Sequence, residues 1–436
     1  MSGSEKAVPR RRRPRRSRLR ALQWLGPGLI TGASDDDPSG IATYAQVGAQ
    51  FGYAMSWVML FSFPLMAAIQ EICARIGRVT GEGIAGNLRR YYPAWLLRLM
   101  VGLLLVANVI NLGADLGAMG DALYLVLGGA PKLLYVVLFG ALCVGLEIFM
   151  RYRNYVNLLK WSTIALFSYF ITAMVVDVPW LQVVHDTFIP SISLETKYIV
   201  SIVAVMGTTI SPYLFFWQSS QEAEDQRVDP RAHPLVDAPR QAPAEIRRIR
   251  IDTYLGMGVS NLVAFFIMVT TAATLNTHGI TDIETSAQAA EALRPIAGEF
   301  AFLVFALGII GTGLLAVPVL AGSAAYAVGE ALQWPIGLAR LPKEARAFYG
   351  TIGVATAIGV AINFIGIDPI KALFWTAVLN GVIAAPLMVV SMMMAMSPRV
   401  MGRFVLPRPL AAMGWLATAV MALIVAAMFL TWNQQG

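Results

Sequence analysis

Three consecutive carboxylates, Asp35, Asp36 and Asp37, stand directly before Pro38 inside an otherwise apolar stretch, with Gly32 and Gly40 on either side. Acidic side chains at this density can do acid–base chemistry or capture a cation. In an apolar environment each ionised group is costly enough to mark a cavity or pathway. Proline removes a backbone donor, so a helix crossing Gly32 to Gly40 is expected to open into two half-helices. A second interruption of this kind is Met206-Gly207-Thr208-Thr209-Ile210-Ser211-Pro212-Tyr213, in which a glycine and a proline bracket small hydroxyl residues. Opened helices expose carbonyls and half-helix ends that can hold an ion, and an acidic opening selects a cation. Three adjacent aspartates cannot all face one ion. Asp37 is assigned to it because it immediately precedes Pro38, where the helical ladder is broken, while Asp35 and Asp36 are left to line the vestibule or lie against polar neighbours.

The elements that position these residues follow from composition. Of 436 residues 57% are hydrophobic and 14% charged, with a mean hydropathy of +0.63, against about 25% charged in an ordinary soluble domain. A soluble enzyme is excluded, and so is a disulfide scaffold, because Cys73 and Cys143 are the only cysteines and both lie in apolar runs. Runs long enough to cross a bilayer occur at 24–50, 53–77, 96–127, 133–150, 155–178, 198–220, 251–275, 299–330, 347–365, 370–396 and 408–431. The expected fold is therefore an all-α polytopic membrane protein with eleven transmembrane helices. Cytoplasmic loops of such proteins collect Lys and Arg. Eleven spans with a cytoplasmic N-terminus place 29 of the 33 Lys and Arg inside and only Lys132, Lys197, Arg294 and Lys371 outside. The C-terminus is then outside and the protein sits in the cell's inner membrane.

The interrupted runs are the first and the sixth, the spacing that a duplicated unit of five helices produces. Matching broken helices of inverted repeats meet near the membrane midplane. Residues 1–23 form a basic arm, 24–396 the transporter core with repeats over 24–178 and 198–396, and 397–436 an additional helix with a short tail. The arm, with nine of the basic residues before position 21, is read as a lipid-facing topology signal and not a nucleic-acid site. The segment 221–250 is read as a solvated cytoplasmic connection.

These residues resemble the Nramp family of divalent-metal transporters. Gly26-Pro27-Gly28-Leu29-Ile30-Thr31-Gly32-Ala33 leading into Asp37-Pro38 is similar to the family's first helix with its Asp-Pro-Gly-Asn break. Gln70 with Ala74-Arg75-Ile76-Gly77-Arg78-Val79-Thr80-Gly81 is similar to the end of its second helix, and Gly207 to Pro212 is similar to its sixth-helix break. The resemblance implies a LeuT-like 5+5 inverted repeat that moves a divalent metal ion by alternating access, as substrate and without a cofactor. It also shows departures. Gly40 replaces the family's Asn, Ser211 its Met, Tyr213 and Gln218 two His residues, and Asn380 a tenth-helix Gln. The pattern looks like the Nramp-related magnesium transporters. Loss of the thioether removes a soft ligand that favours transition ions, and Mg²⁺ takes oxygen ligands and keeps several waters. The implied metal site is Asp37 with Ser34, Thr208, Ser211 and Asn380 as oxygen ligands and Gly40 leaving room, for Mg²⁺ and also Mn²⁺.

Proton coupling calls for a titratable relay, with His the usual choice, but His185, His233 and His278 all fall in expected loops. Asp36, Asp115 and Tyr213 are candidates for the vestibule or a relay, and Asp115 is expected to shape the cavity or pair with Asn108. Uptake is therefore expected to be uncoupled, in a monomer, driven by about 2.3 kcal/mol per charge per 100 mV. Glu330 reads as a helix-end charge, and Met392, Met393, Met394 and Met396 as packing residues. The rivals are a proton-coupled Mn²⁺ or Fe²⁺ importer and an amino-acid or polyamine carrier of the same fold. An intramembrane aspartyl protease would need two facing aspartates, and Asp37 has only Asp115 as a distant partner.

Overall fold

A computed structural model of the chain describes residues 27–149 and 166–432. The basic arm, the start of the first run, residues 150–165 with Arg151, Arg153 and Lys160 and the first part of the fifth run, and the last four residues lie outside the described residues. Within them every regular element is a helix. The principal ones are α1 (Pro27–Asp35), α2 (Pro38–Phe51), α3 (Trp57–Thr80), α4 (Ile84–Tyr91), α5 (Ala94–Leu127), α6 (Lys132–Phe149) and α7 (Phe167–Val175), followed by α8 (Thr196–Thr209), α9 (Pro212–Val228), α10 (Ala242–Thr274), α11 (Ala301–Leu332), α12 (Arg346–Ile362), α13 (Pro369–Ala395) and α14 (Arg408–Trp432). Shorter helical turns join some of them.

Among the described residues nine segments are long and apolar enough to cross a bilayer, α8 and α9 together counting as one. The expectation was eleven. The first run is not among the nine because its break leaves halves of 9 and 14 residues, and of the fifth only α7 is described.

Both expected interruptions are present, and both are narrower than the sequence suggested. Helix α1 runs through Asp35 and α2 begins at Pro38, so only residues 36 and 37 leave the helix. Helix α8 runs through Thr209 and α9 begins at Pro212. Proline alone does not explain the breaks, since Pro64, Pro318 and Pro386 lie inside α3, α11 and α13, which continue past them. What differs is the preceding residue. Asp37 (φ −68°, ψ 168°) and Ser211 (φ −78°, ψ 131°) are extended, which is the conformation a residue before proline prefers and the one an N-cap adopts.

The two broken helices are held together by α10 and α13. Helix α1 packs on α10, α2 on α10 and α13, and α8 along α13. The α8–α13 crossing is close enough to demand glycine: a Cβ on Gly207 would lie 2.0 Å from the Ala377 carbonyl oxygen and 2.4 Å from the Gly381 nitrogen. Asp252, on α10, accepts the Gly28 amide at 2.7 Å, so a carboxylate caps the start of α1 from another helix.

The segment 221–250 corrects its sequence reading. Helix α9 extends to Val228 and α10 begins at Ala242, with Glu222, Glu224 and Gln226 buried. These carboxylates are matched at the arginine-rich end of the bundle. Arg248 reaches Glu222 at 2.5 Å and Glu245 at 2.9 Å, and Arg78 reaches Glu245 at 3.3 Å. Glu224 accepts the Tyr326 hydroxyl and the amides of Leu338 and Ala339. Glu330 is more than a helix-end charge. Its oxygens accept the amides of Gly83 (3.1 Å) and Gly86 (2.9 Å) and the Ser220 hydroxyl (2.9 Å), tying α11 to the start of α4 and to α9. Of the methionine run, Met392 and Met394 are buried, whereas Met393 and Met396 are exposed, and the Trp415 indole donates to the Met396 sulfur at 2.9 Å.

Candidate metal site

The three aspartates diverge. Asp37 turns its carboxylate back along α2, where Oδ1 accepts the Gly40 amide at 2.7 Å. This N-cap bond satisfies one of the orphan donors at the helix start. Asp35 and Asp36 turn toward α10 instead, where the Ser260 hydroxyl lies 2.7 Å from Asp35 Oδ2 and 3.0 Å from Asp36 Oδ1. The reading that Asp36 lines the vestibule is thereby corrected, and the alternative of polar neighbours is the one realised. Consecutive residues leaving a helix point to different sides, and Ser260 offers its hydroxyl on the α10 side.

The other side of Asp37 belongs to the second break. Tyr213, wholly buried in the first turn of α9, directs its hydroxyl to the Ser34 carbonyl at 2.8 Å and to Asp37 Oδ2 at 3.3 Å. Thr208, at the end of α8, lies against Gly40 in the first turn of α2, since a Cβ on Gly40 would lie 3.0 Å from its Oγ1. The structure therefore brings Ser34, Asp37, Gly40, Thr208 and Tyr213 to one junction. Ser211 stands at the same break, with its hydroxyl donating back to the carbonyls of Gly207 (2.9 Å) and Thr208 (2.7 Å). Asn380 is buried on α13 beside Gly381, which faces Gly207. Ser39 fixes α2 to the same helix by donating to the Leu373 carbonyl at 3.1 Å, with Thr376 Oγ1 at 3.3 Å.

Asp115 lies on α5, wholly buried, within electrostatic reach of Asp37 and close to the Ser39 amide, although neither of its oxygens completes a hydrogen bond of good geometry. The expected pairing with Asn108 is not formed. Asn108 donates to the Leu320 carbonyl at 3.0 Å, because α5 packs along α11 and presents that amide to it. The sequence reading did not find Met119, whose sulfur lies against Gly313 in the wall beside Pro38. His185, His233 and His278 are all exposed and outside the broken helices.

Among the described residues no three His, Cys, Asp or Glu side chains converge as a metal cluster. The polar groups at the junction are instead one carboxylate, hydroxyls and helix-end carbonyls. The C-terminal end of α1 also points its negative dipole at this place. Such a set suits a hard cation with oxygen ligands. The junction is closed off, with Ser34, Asp37, Thr208, Ser211 and Asn380 each no more than 2% exposed. Toward the end of the bundle away from the arginines a cleft of about 830 Å³ is lined by Ala42, Gln46, Ser201, Ile370 and Trp375, with Lys197 and Lys371 at its mouth. That volume holds on the order of 25–30 waters, ample for a hydrated ion. Ala42, its nearest residue on α2, is five positions beyond Asp37, roughly 7.5 Å along the helix. Asp36, Asp115 and Tyr213 do not line it.

Broken helices that meet over a buried acid between supporting helices define a secondary transporter, not an enzyme. The chain belongs to the Nramp (natural resistance-associated macrophage protein-like) family, whose sequence profile matches residues 28–431. It is 26% identical over 360 residues to the divalent metal cation transporter MntH of Caldanaerobacter subterraneus subsp. tengcongensis, a match covering 81% of this chain and 79% of that one. It is 25% identical over 436 residues to MntH of Deinococcus radiodurans, covering 96% and 91%. The fold is similar to that of the Eremococcus coleocola manganese transporter, with a TM-score of 0.73 at 18% identity over 97% of this chain and 89% of that one. It is also similar to the nucleobase-cation-symport-1 transporter Mhp1, with a TM-score of 0.50 at 15% identity over 94% and 93%.

Proposed function

We propose that this chain is a divalent metal cation transporter that moves Mg²⁺, and also Mn²⁺, through the junction of its two broken helices by alternating access. The 5+5 inverted repeat supplies the architecture, with the arginine-rich end cytoplasmic and the cleft outside. The observation that carries this reading is the donor set. Asp37 is the carboxylate of the first break that faces the second, and its proposed companions are oxygens from Ser34, Thr208, Ser211 and Asn380. The position before Pro212, where a thioether would select soft ions, holds a hydroxyl. The ion is substrate, and no cofactor takes part. Entry is driven by the membrane potential at about 2.3 kcal/mol per charge per 100 mV, without proton symport, which accords with the absence of histidine from the junction.

Two observations favour a second reading, a proton-coupled Mn²⁺ importer. Asp115 stands close to Asp37, and the Met119 sulfur lies in the neighbouring wall. Uptake into proteoliposomes with simultaneous recording of internal pH separates the two. The proposal predicts Mg²⁺ uptake that grows with inside-negative potential and leaves internal pH unchanged. Rejection of Mg²⁺, with Mn²⁺ entry accompanied by acidification, would overturn it in favour of the importer.

A further inference from the structure

We infer that Tyr213 sets the metal preference of the site by occupying, with its own hydroxyl, the carbonyl that an incoming ion would otherwise take as a ligand. The inference rests on the cation-site reading above. Ser34 stands in the last turn of α1, where carbonyls lose their intrahelical partners. Its carbonyl does not stay free. The Tyr213 hydroxyl holds it at 2.8 Å, and the same oxygen lies 3.3 Å from Asp37 Oδ2. A phenol has one proton to donate, and the shorter contact gives it to Ser34, with Asp37 as the alternative acceptor.

The tyrosine is itself firmly placed. It follows Pro212 at the start of α9, its backbone carbonyl accepts the Ser323 hydroxyl from α11 at 2.9 Å, and its ring is wholly buried. Asp37 is therefore bracketed, with Oδ1 on the Gly40 amide and Oδ2 beside the Tyr213 hydroxyl. Oδ1 keeps only its remaining lone-pair direction for an ion, and Oδ2 is approached past the Tyr213 hydroxyl.

The consequence is selective. A cation that needs many direct protein ligands must displace the hydroxyl to reach Ser34. One that dehydrates reluctantly and keeps its waters, as Mg²⁺ does, can leave Tyr213 in place and meet Asp37 through a single oxygen or a bound water. Tyr213 thus acts as a positioning residue that penalises ions which shed water readily, such as Ca²⁺ and Mn²⁺, relative to Mg²⁺.

Equilibrium titration of the purified full-length protein with Mg²⁺, Ca²⁺ and Mn²⁺ tests this through the ratio of dissociation constants, which a merely structural defect would not move because it weakens all three together. Tyr213→Phe frees the Ser34 carbonyl and should shift the Ca²⁺/Mg²⁺ and Mn²⁺/Mg²⁺ preferences toward the larger ions by about fivefold, the worth of one hydrogen bond. Incorporation of 3-fluorotyrosine at 213 keeps the shape and strengthens the donor, and should shift both ratios the opposite way, so the test stands even where the Phe variant fails to fold. Unchanged ratios in the fluorinated protein, or in a folded Phe variant, would overturn the inference while leaving the cation site standing. A wild-type protein that binds none of the three ions would instead overturn the reading on which it rests.

Discussion

The two helix breaks share a plan, a capping residue before a proline, but are chemically unlike. At the first, a carboxyl side chain caps the new helix and still has lone pairs to offer: Asp37 receives the Gly40 amide and faces the second break. At the second, the capping position carries a neutral hydroxyl that turns back onto the carbonyls of Gly207 and Thr208. One break therefore supplies charge and the other supplies shape and neutral oxygens. Affinity for a divalent ion should depend on the first, and the choice among divalent ions on the second.

The largest effect expected from breaking this division is at the charged end. Asp37→Ala removes the carboxylate that faces the second break. It should lower Mg²⁺ and Mn²⁺ uptake in proteoliposomes by on the order of a hundredfold or more, as loss of one partner of a buried ionic contact does, without preventing membrane insertion. Next comes the geometry of the second break. A methyl group on Gly207 would meet the Ala377 carbonyl at 2.0 Å, so Gly207→Ala should destabilise the protein by about 1–3 kcal/mol, read as a lower midpoint in thermal unfolding, and should weaken uptake of every ion alike. Ser211→Met should sharpen the contrast by giving the neutral break a soft ligand. The ratio of Cd²⁺ to Mg²⁺ affinity should rise roughly tenfold in competition uptake, and an unchanged ratio would remove this position from the site. Smallest is Ser211→Ala, which removes one neutral oxygen from the second break and should change Mg²⁺ uptake by no more than about threefold.

Much of this was legible in the residues. The Asp-Pro and Ser-Pro breaks, the spans outside the fifth and the exclusion of histidine from the core follow from local physics, because a proline after a residue that can cap, inside an apolar run, has few other outcomes. Contacts between distant segments were not legible. Nothing local places Ser260 between Asp35 and Asp36, brings Tyr213 across to Ser34, or sets Glu330 on the amides of Gly83 and Gly86. The segment at 221–250 misled for the same reason. Its charge density reads as solvated chain, whereas Glu222, Glu245, Arg248 and Arg78 form linked ion pairs and let two helices extend beyond the apolar zone. The span count remained short of eleven because the first run is split into two pieces, each too short to count alone, and the first part of the fifth lies outside the described residues.

The central claim, that Asp37 and not its neighbours supplies the charge that binds the ion, is tested most directly by Mg²⁺ uptake in isosteric single variants. Asp37→Asn keeps an acceptor for the Gly40 amide and removes only the charge. Under an inside-negative potential it should reduce the initial rate to background, while Asp35→Asn and Asp36→Asn, whose side chains face Ser260, retain most of it. Normal uptake by the Asp37 variant, or an equal loss in all three, would contradict the account.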